Sequence, residues 1–194
     1  MVQLDAYAAD CRVWGQVELV EGRISDQLNN TVELQILDAH IEDLADGHVV
    51  TMPQLTVAHE ELCAVVAYGP RGDAARRLAI RTMRVEVEIG PYRIEGMVHG
   101  PRAGDPFASV LRRATWVPLT EAIVMYRRGE EDVREKVTRL LVNRRLMRLF
   151  REFWRDPAVS RTYARCAIVL SSYQEDLWLK RLRSSAASRM GRVS

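Results

Sequence analysis

His59 and Cys63 stand four residues apart, with Glu60 and Glu61 between them. A Cys–His pair can act as a nucleophile and its base only when the two side chains meet in space. Nothing nearby in the sequence would activate the thiol, so a structural turn with a buried cysteine is the expectation. Asp38, Glu42 and Asp43 place three carboxylates on one stretch. Paired carboxylates do acid–base work only where a pocket separates their pKa values. A charged sheet edge, which also discourages aggregation, is the simpler reading. His40, His48 and His99 show no metal-ligand spacing with one another or with a cysteine. Gly69-Pro70-Arg71-Gly72 has the glycines of a phosphate-gripping loop but lacks its lysine, and reads as a linker turn. No catalytic residue, cofactor or metal site is therefore expected, and the chain reads as non-enzymatic.

The arginines carry more information. Arg144, Arg145, Arg148, Arg151, Arg155, Arg161 and Arg165 interleave with Phe150, Phe153, Trp154 and Tyr163. Arginine with aromatics suits single-stranded nucleic acid, by phosphate pairing and base stacking. The same residues also suit a basic face that meets an acidic partner. Such a partner exists within the chain. Residues 1–70 hold twelve carboxylates against two arginines, Arg12 and Arg23, so the net charge of +2 leaves +12 on the remainder.

These residues need elements to hold them, and an internal repeat supplies the plan. Residues 11–17 match 92–98, 24–30 match 107–113, 34–39 match 117–122 and 57–66 match 141–150, at an offset drifting only from 81 to 84. What repeats is the placing of apolar residues, of Gly15 and Gly96, and of a carboxylate before an alanine in Asp38-Ala39 and Glu121-Ala122. Residues 83–89 alternate apolar and polar, Gly90-Pro91 punctuates them, and 92–99 alternate again, which predicts a hairpin. A glycine within a strand marks a bulge or bend. Residues 24–30 and 107–113 suit a helical turn, while 32–44, 48–58 and 62–67, with 115–126, 133–143 and 146–151, suit strands. Taken alone 133–153 looks helical, but its counterpart 49–57 is β-branched and contains Pro53.

The expected division is a first small β domain over 1–69, acidic; a linker over 70–82; a second small β domain over 83–153; and a basic helical extension with a tail over 154–194. Asp156-Pro157 is a helix-start signal, and Tyr163, Cys166, Ala167, Leu170, Tyr173, Leu177 and Trp178 predict an amphipathic helix over 158–183, with strand over Cys166 to Leu170 as the alternative.

The order of hairpin, helical turn, long strand, strand, tight turn and strand resembles a small SH3-like or Sm-like barrel. The first copy is similar to the Sm pattern in its Gly15, its Asp26 with Asn30, and its Asp38-Ala39. Ser25-Asp26-Gln27-Leu28-Asn29 is also similar to the Ser-Asp-x-Leu-Asn signature of an uncharacterised bacterial small β-barrel domain family, over about residues 10–68 and more weakly over 83–151. The fold this implies is mainly β with α: two tandem small barrels followed by the C-terminal helix. The Sm resemblance marks Asp26 and Asn30 as a loop site. It does not carry over the whole RNA site, because Phe107 to Leu111 replace the Asp and Asn in the second copy, and Ala58-His59 and Asn143-Arg144 replace the family's Arg-Gly pair.

At 47% apolar and 28% charged the composition is that of a globular protein. No apolar run reaches the roughly 20 residues that span a bilayer. Met1 to Asp5 lack the pattern of a secretion signal. Cys11, Cys63 and Cys166 are odd in number and widely spaced. A cytoplasmic protein that does not meet a membrane is expected, forming homo-oligomers by contact of its acidic and basic ends. Binding of RNA or single-stranded DNA over 144–183 is the alternative.

Overall fold

A computed structural model describes residues 1–20, 22–68, 80–101 and 115–152. The chain is mainly β. Five strands form the first half: β1 (Val2–Ala8), β2 (Cys11–Val17), β3 (Glu33–Asp43), β4 (Val49–Ala58) and β5 (Leu62–Val66), with helix α1 (Ile24–Asn30) between β2 and β3. Five more form the second: β6 (Ile80–Ile89), β7 (Tyr92–Pro101), β8 (Trp116–Arg128), β9 (Glu131–Asn143) and β10 (Met147–Glu152). A 3-10 turn precedes the last strand of each half, at His59–Glu61 and Arg144–Leu146.

Two separate barrels are not what these strands build. All ten lie in a single open antiparallel sheet, in the order β10-β6-β7-β8-β9-β5-β1-β2-β3-β4. The correction has a definite cause. A barrel of the first half would close by pairing β4 with β5. Instead β5 lies between β1 and β9, with Val65 opposite Leu141. Its five residues, Leu-Cys-Ala-Val-Val, are all buried, as a strand covered on both faces requires. Alternation within each half cannot reveal whether its last strand pairs at home or with the neighbour.

The pairing pattern of the two halves is nonetheless the same. Within each half the order is last strand, then first to fourth. Asp5 lies opposite Trp14 and Glu86 opposite Glu95. Both second-to-third ladders slip at a glycine, between Trp14 and Gln16 and between Glu95 and Met97. The extra residue on the facing strand is Asp38 in one half and Glu121 in the other, with φ of 48° and 50°. His59 N donates to Val32 O, and Arg144 N to Thr115 O.

Two apolar cores straddle the halves. One packs Tyr7, Cys63, Ala64 and Val66 with Tyr92, Val124, Leu140 and Val142. The other joins Leu4, Val13, Ile24, Leu28, Leu62 and Val65 to Trp116 and Leu141. The sheet bends back so that the β8–β9 turn meets the β3–β4 turn, where Gly129 N donates to Leu44 O at 2.8 Å.

The expected helix over 158–183, the extension 154–194 and the helical turn 107–113 lie outside the described residues, as does most of the expected linker. Its last residues, 80–82, are strand. Among the described residues no helix is long and apolar enough to cross a membrane.

Candidate functional site

Among the described residues a polar junction between the halves centres on Arg12. The β1–β2 hairpin brings Asp5 beside Arg12. Arg12 Nε and Nη2 donate to Asp5 Oδ1 and Oδ2 at 2.9 and 2.6 Å. Its Nη1 donates to Glu135 Oε1 of β9 at 2.7 Å. The hydrogen bonds to Asp5, and the carboxylate charge around it, hold the guanidinium protonated more firmly than usual. The guanidinium also lies 5.5 Å from the Tyr7 ring centre and 5.8 Å from that of Trp14, within reach of cation–π attraction. Trp14 in turn stacks on His40 at 5.4 Å, nearly parallel.

Glu135 gathers two phenols besides. Tyr7 donates to its Oε2 at 2.8 Å and Tyr126 to its Oε1 at 3.2 Å. Tyr7, Tyr92 and Tyr126 meet one another edge to face, an arrangement that sets ring edges against ring faces. Tyr92 reaches across to donate to Ala8 O at 2.6 Å. Burial drives all three phenols above their ordinary pKa, Tyr126 to about 12. Beside this cluster is an open cleft of about 220 Å³ lined by Gln3, Asp5, Arg12, Trp14, Glu42 and Tyr68. Its charged groups neutralise one another: Glu42 takes Arg128 Nη1 at 2.9 Å, as Asp5 takes Arg12. The arrangement locks β2, β3, β8 and β9 together.

The second half repeats the core of this motif at its own outer end. Glu86, fully buried, lies 2.7 Å from Arg93 Nε through Oε1, and its Oε2 accepts from Arg151 Nε and Nη2 at 2.9 and 2.6 Å. Glu86 and Arg93 occupy the register positions of Asp5 and Arg12.

The residues singled out by sequence fall in several places. Asp26 and Asn30 sit one turn apart on α1, with Asp26 half-buried and Asn30 exposed. Arg144 and Arg145 form the 3-10 turn before β10. Arg148, exposed on β10, donates to Gly90 O at 2.5 Å, and Arg151 is held by Glu86. Phe150 belongs to the core. Arg155, Arg161 and Arg165 lie outside the described residues. Asp38, Glu42 and Asp43 do not converge: Asp38 occupies the bulge, Glu42 pairs with Arg128, and Asp43 Oδ1 accepts from Ala45 N. Cys63 is buried against Gly90, and burial pushes its thiol up to about 12. Among the described residues no three His, Cys, Asp or Glu side chains are grouped to hold a metal ion.

Sequence reasoning passed over Arg12, Asp5, Glu135 and the tyrosine trio. A signal existed. Asp5 interrupts the apolar run of β1 at the register position where Glu86 interrupts β6, and each has an arginine seven residues on. The Glu135 link had none, since it joins the halves over more than a hundred residues.

The chain matches no family model, and no curated protein or solved structure is detectably similar to it.

Proposed function

We propose that the protein is a non-enzymatic scaffold or adaptor that assembles from copies of itself, the acidic first half of one chain meeting the basic end of the next. The observation that carries this reading is that, among the described residues, the sheet ends in two open edges of different character, β4 and β10. Open edges offer unpaired backbone donors and acceptors to another chain. β4 has no charged residue and runs into His59-Glu60-Glu61, whereas β10 follows Arg144 and Arg145 and carries Arg148, with Arg151 paired to Glu86 and Glu152 at its end. Contact between two unlike patches is heterologous, so its repetition closes a ring or extends a filament. A cytoplasmic location belongs to the same reading.

Light scattering at low and high salt tests it. The expected result is a mass several times that of one chain at low salt, falling as salt screens the charged ends. A single-chain mass at every salt concentration overturns it. Nucleic acid binding over 144–183 has less support, because Arg151 is engaged by Glu86 and Phe150 lies in the core.

A further inference from the structure

We infer that β4 of one copy pairs with β10 of the next, in the register in which β9 already pairs with β5 inside each chain. The inference rests on the self-assembly reading and specifies its joint. Inside the chain the fourth strand of the second half pairs antiparallel with the last strand of the first half: Ala64 opposite Val142, Val65 opposite Leu141, Val66 opposite Leu140. The two open edges are the other two members of the same set, the fourth strand of the first half and the last strand of the second.

The ladders fix which residues correspond. Tyr7 pairs with both Arg12 and Ala64, and Glu88 with both Arg93 and Leu149, so Leu149 holds the place of Ala64. Leu34 pairs with Val57 and Val117 with Val142, so Val57 holds the place of Val142. Transferred to two copies, Val57 faces Leu149, Thr56 faces Phe150 and Leu55 faces Arg151.

Burial supports the transfer. Leu140, Leu141 and Val142 are buried by β5, and every residue of β5 is buried. Their counterparts on the open edges are less covered: Thr56 and Arg151 are exposed, Leu55, Val57 and Leu149 are half-buried, and of the six only Phe150 is buried, in the core. Val49 and Val50, further along β4, are 41% and 46% exposed. A second copy set in this register would cover apolar edge residues with apolar edge residues, Val57 with Leu149. Pro53 has no N–H to give a ladder, but it lies outside the three-residue joint. One residue beyond the joint, Arg148 comes opposite Ala58, next to His59, Glu60 and Glu61, which places unlike charges together. The internal joint also has a side-chain bond, Asn143 Nδ2 to Leu62 O at 3.1 Å. Ala58 stands at the corresponding position and makes no such bond, so the joint between chains is the weaker and the more easily reversed.

Disulfide trapping between two full-length variants tests the register, in a background where Cys11 and Cys166 are replaced by serine. Chains carrying Val57→Cys are mixed with chains carrying Leu149→Cys and oxidised mildly, with light scattering on the same mixture. A disulfide-linked dimer from the mixture, absent from either variant alone and from Gln54→Cys mixed with Leu149→Cys, is the expected result. An oligomer without the mixed disulfide overturns the joint and leaves self-assembly standing. Cross-linking of Val57→Cys with itself overturns it too, because β4 would then pair with β4. A single-chain mass overturns both. Should Leu149→Cys lower the melting temperature, Ala58→Cys against Arg148→Cys reads the same register at sites that bury less.

Discussion

Arg12 and Glu135 meet at 2.7 Å across the boundary between the two halves, one on β2 and the other on β9. The contact completes a chain of charges, since the same guanidinium grips Asp5, which is almost fully buried. Removing the arginine leaves a buried carboxylate without its counter-charge. Arg12→Leu is expected to lose about 2–3 kcal/mol, the range for hydrogen bonds to charged groups together with a stranded buried partner. Glu135→Gln keeps an acceptor for Tyr7 and is expected to lose about 1 kcal/mol. Urea denaturation of the two variants measures both, and equal losses would contradict the assignment of Asp5 as the main partner.

Gly15 and Gly96 hold matching places but differ in the room around them. A Cβ on Gly15 would come within 2.6 Å of both Ile36 Cγ2 and Leu37 O, the latter a backbone atom that cannot step aside. On Gly96 the nearest atom is Leu119 Cβ at 3.2 Å. Gly15→Ala is expected to cost about 3 kcal/mol and Gly96→Ala about 1 kcal/mol, at the two ends of the overpacking range. Thermal melts of the pair decide it; a larger loss at Gly96 would be inconsistent with the bulge geometry.

Asp38 and Glu121, facing those glycines, have left-handed backbone with φ of 48° and 50°. An ordinary side chain there costs about 1–2 kcal/mol, with aspartate tolerated better than glutamate. Glu121→Gly is expected to be neutral or to stabilise by up to about 1 kcal/mol, whereas Glu121→Val destabilises. The side chain of Glu121 is exposed, so melting temperatures of these variants isolate the backbone effect.

Alkali should weaken the fold before acid chemistry of any active residue is considered. Burial raises the Cys63 thiol from its ordinary 9.0 to about 12. Below the unfolded value the thiol is neutral in both states and the stabilisation is intact. Above it the unfolded chain loses its proton first, so stability falls as pH rises through this window and is spent near the folded value. The slope is about 1.4 kcal/mol per pH unit for one such group. Tyr7 and Tyr92, also raised by burial, add to the loss above about pH 10. Chemical denaturation at stepped pH between about 8 and 11 should show declining stability, and Cys63→Ala should make the first part of the decline shallower, with Cys11, its thiol also pushed up to about 12, supplying the rest. An unchanged midpoint across the range would rule out this account.

Much of the strand plan was legible in the sequence by itself. The alternation of 83–89 and 92–99 about Gly90-Pro91 determined the β6–β7 hairpin, because a half-buried strand needs period-two burial. The match with 49–57 identified 133–143 as strand β9 where its own composition suggested helix. Gly15 and Gly96 marked the bulges; at Gly15 the facing backbone leaves no room for a side chain, and at Gly96 Leu119 leaves little. The acidic first half and the basic stretch from Arg144 were equally plain.

Tertiary structure alone decided how the halves join. Each half, read by itself, is consistent with a barrel that closes between its fourth and last strands, because the hydrogen-bonding edge of a strand leaves no trace in the order of its side chains. Pairing of Val65 with Leu141 turns two expected barrels into one open sheet. The same choice buries Cys63 in a core shared by the two halves and brings Arg12 to Glu135. Each of these is a contact between residues far apart in the chain, set by which edges meet, and local sequence encodes the edges without naming their partners.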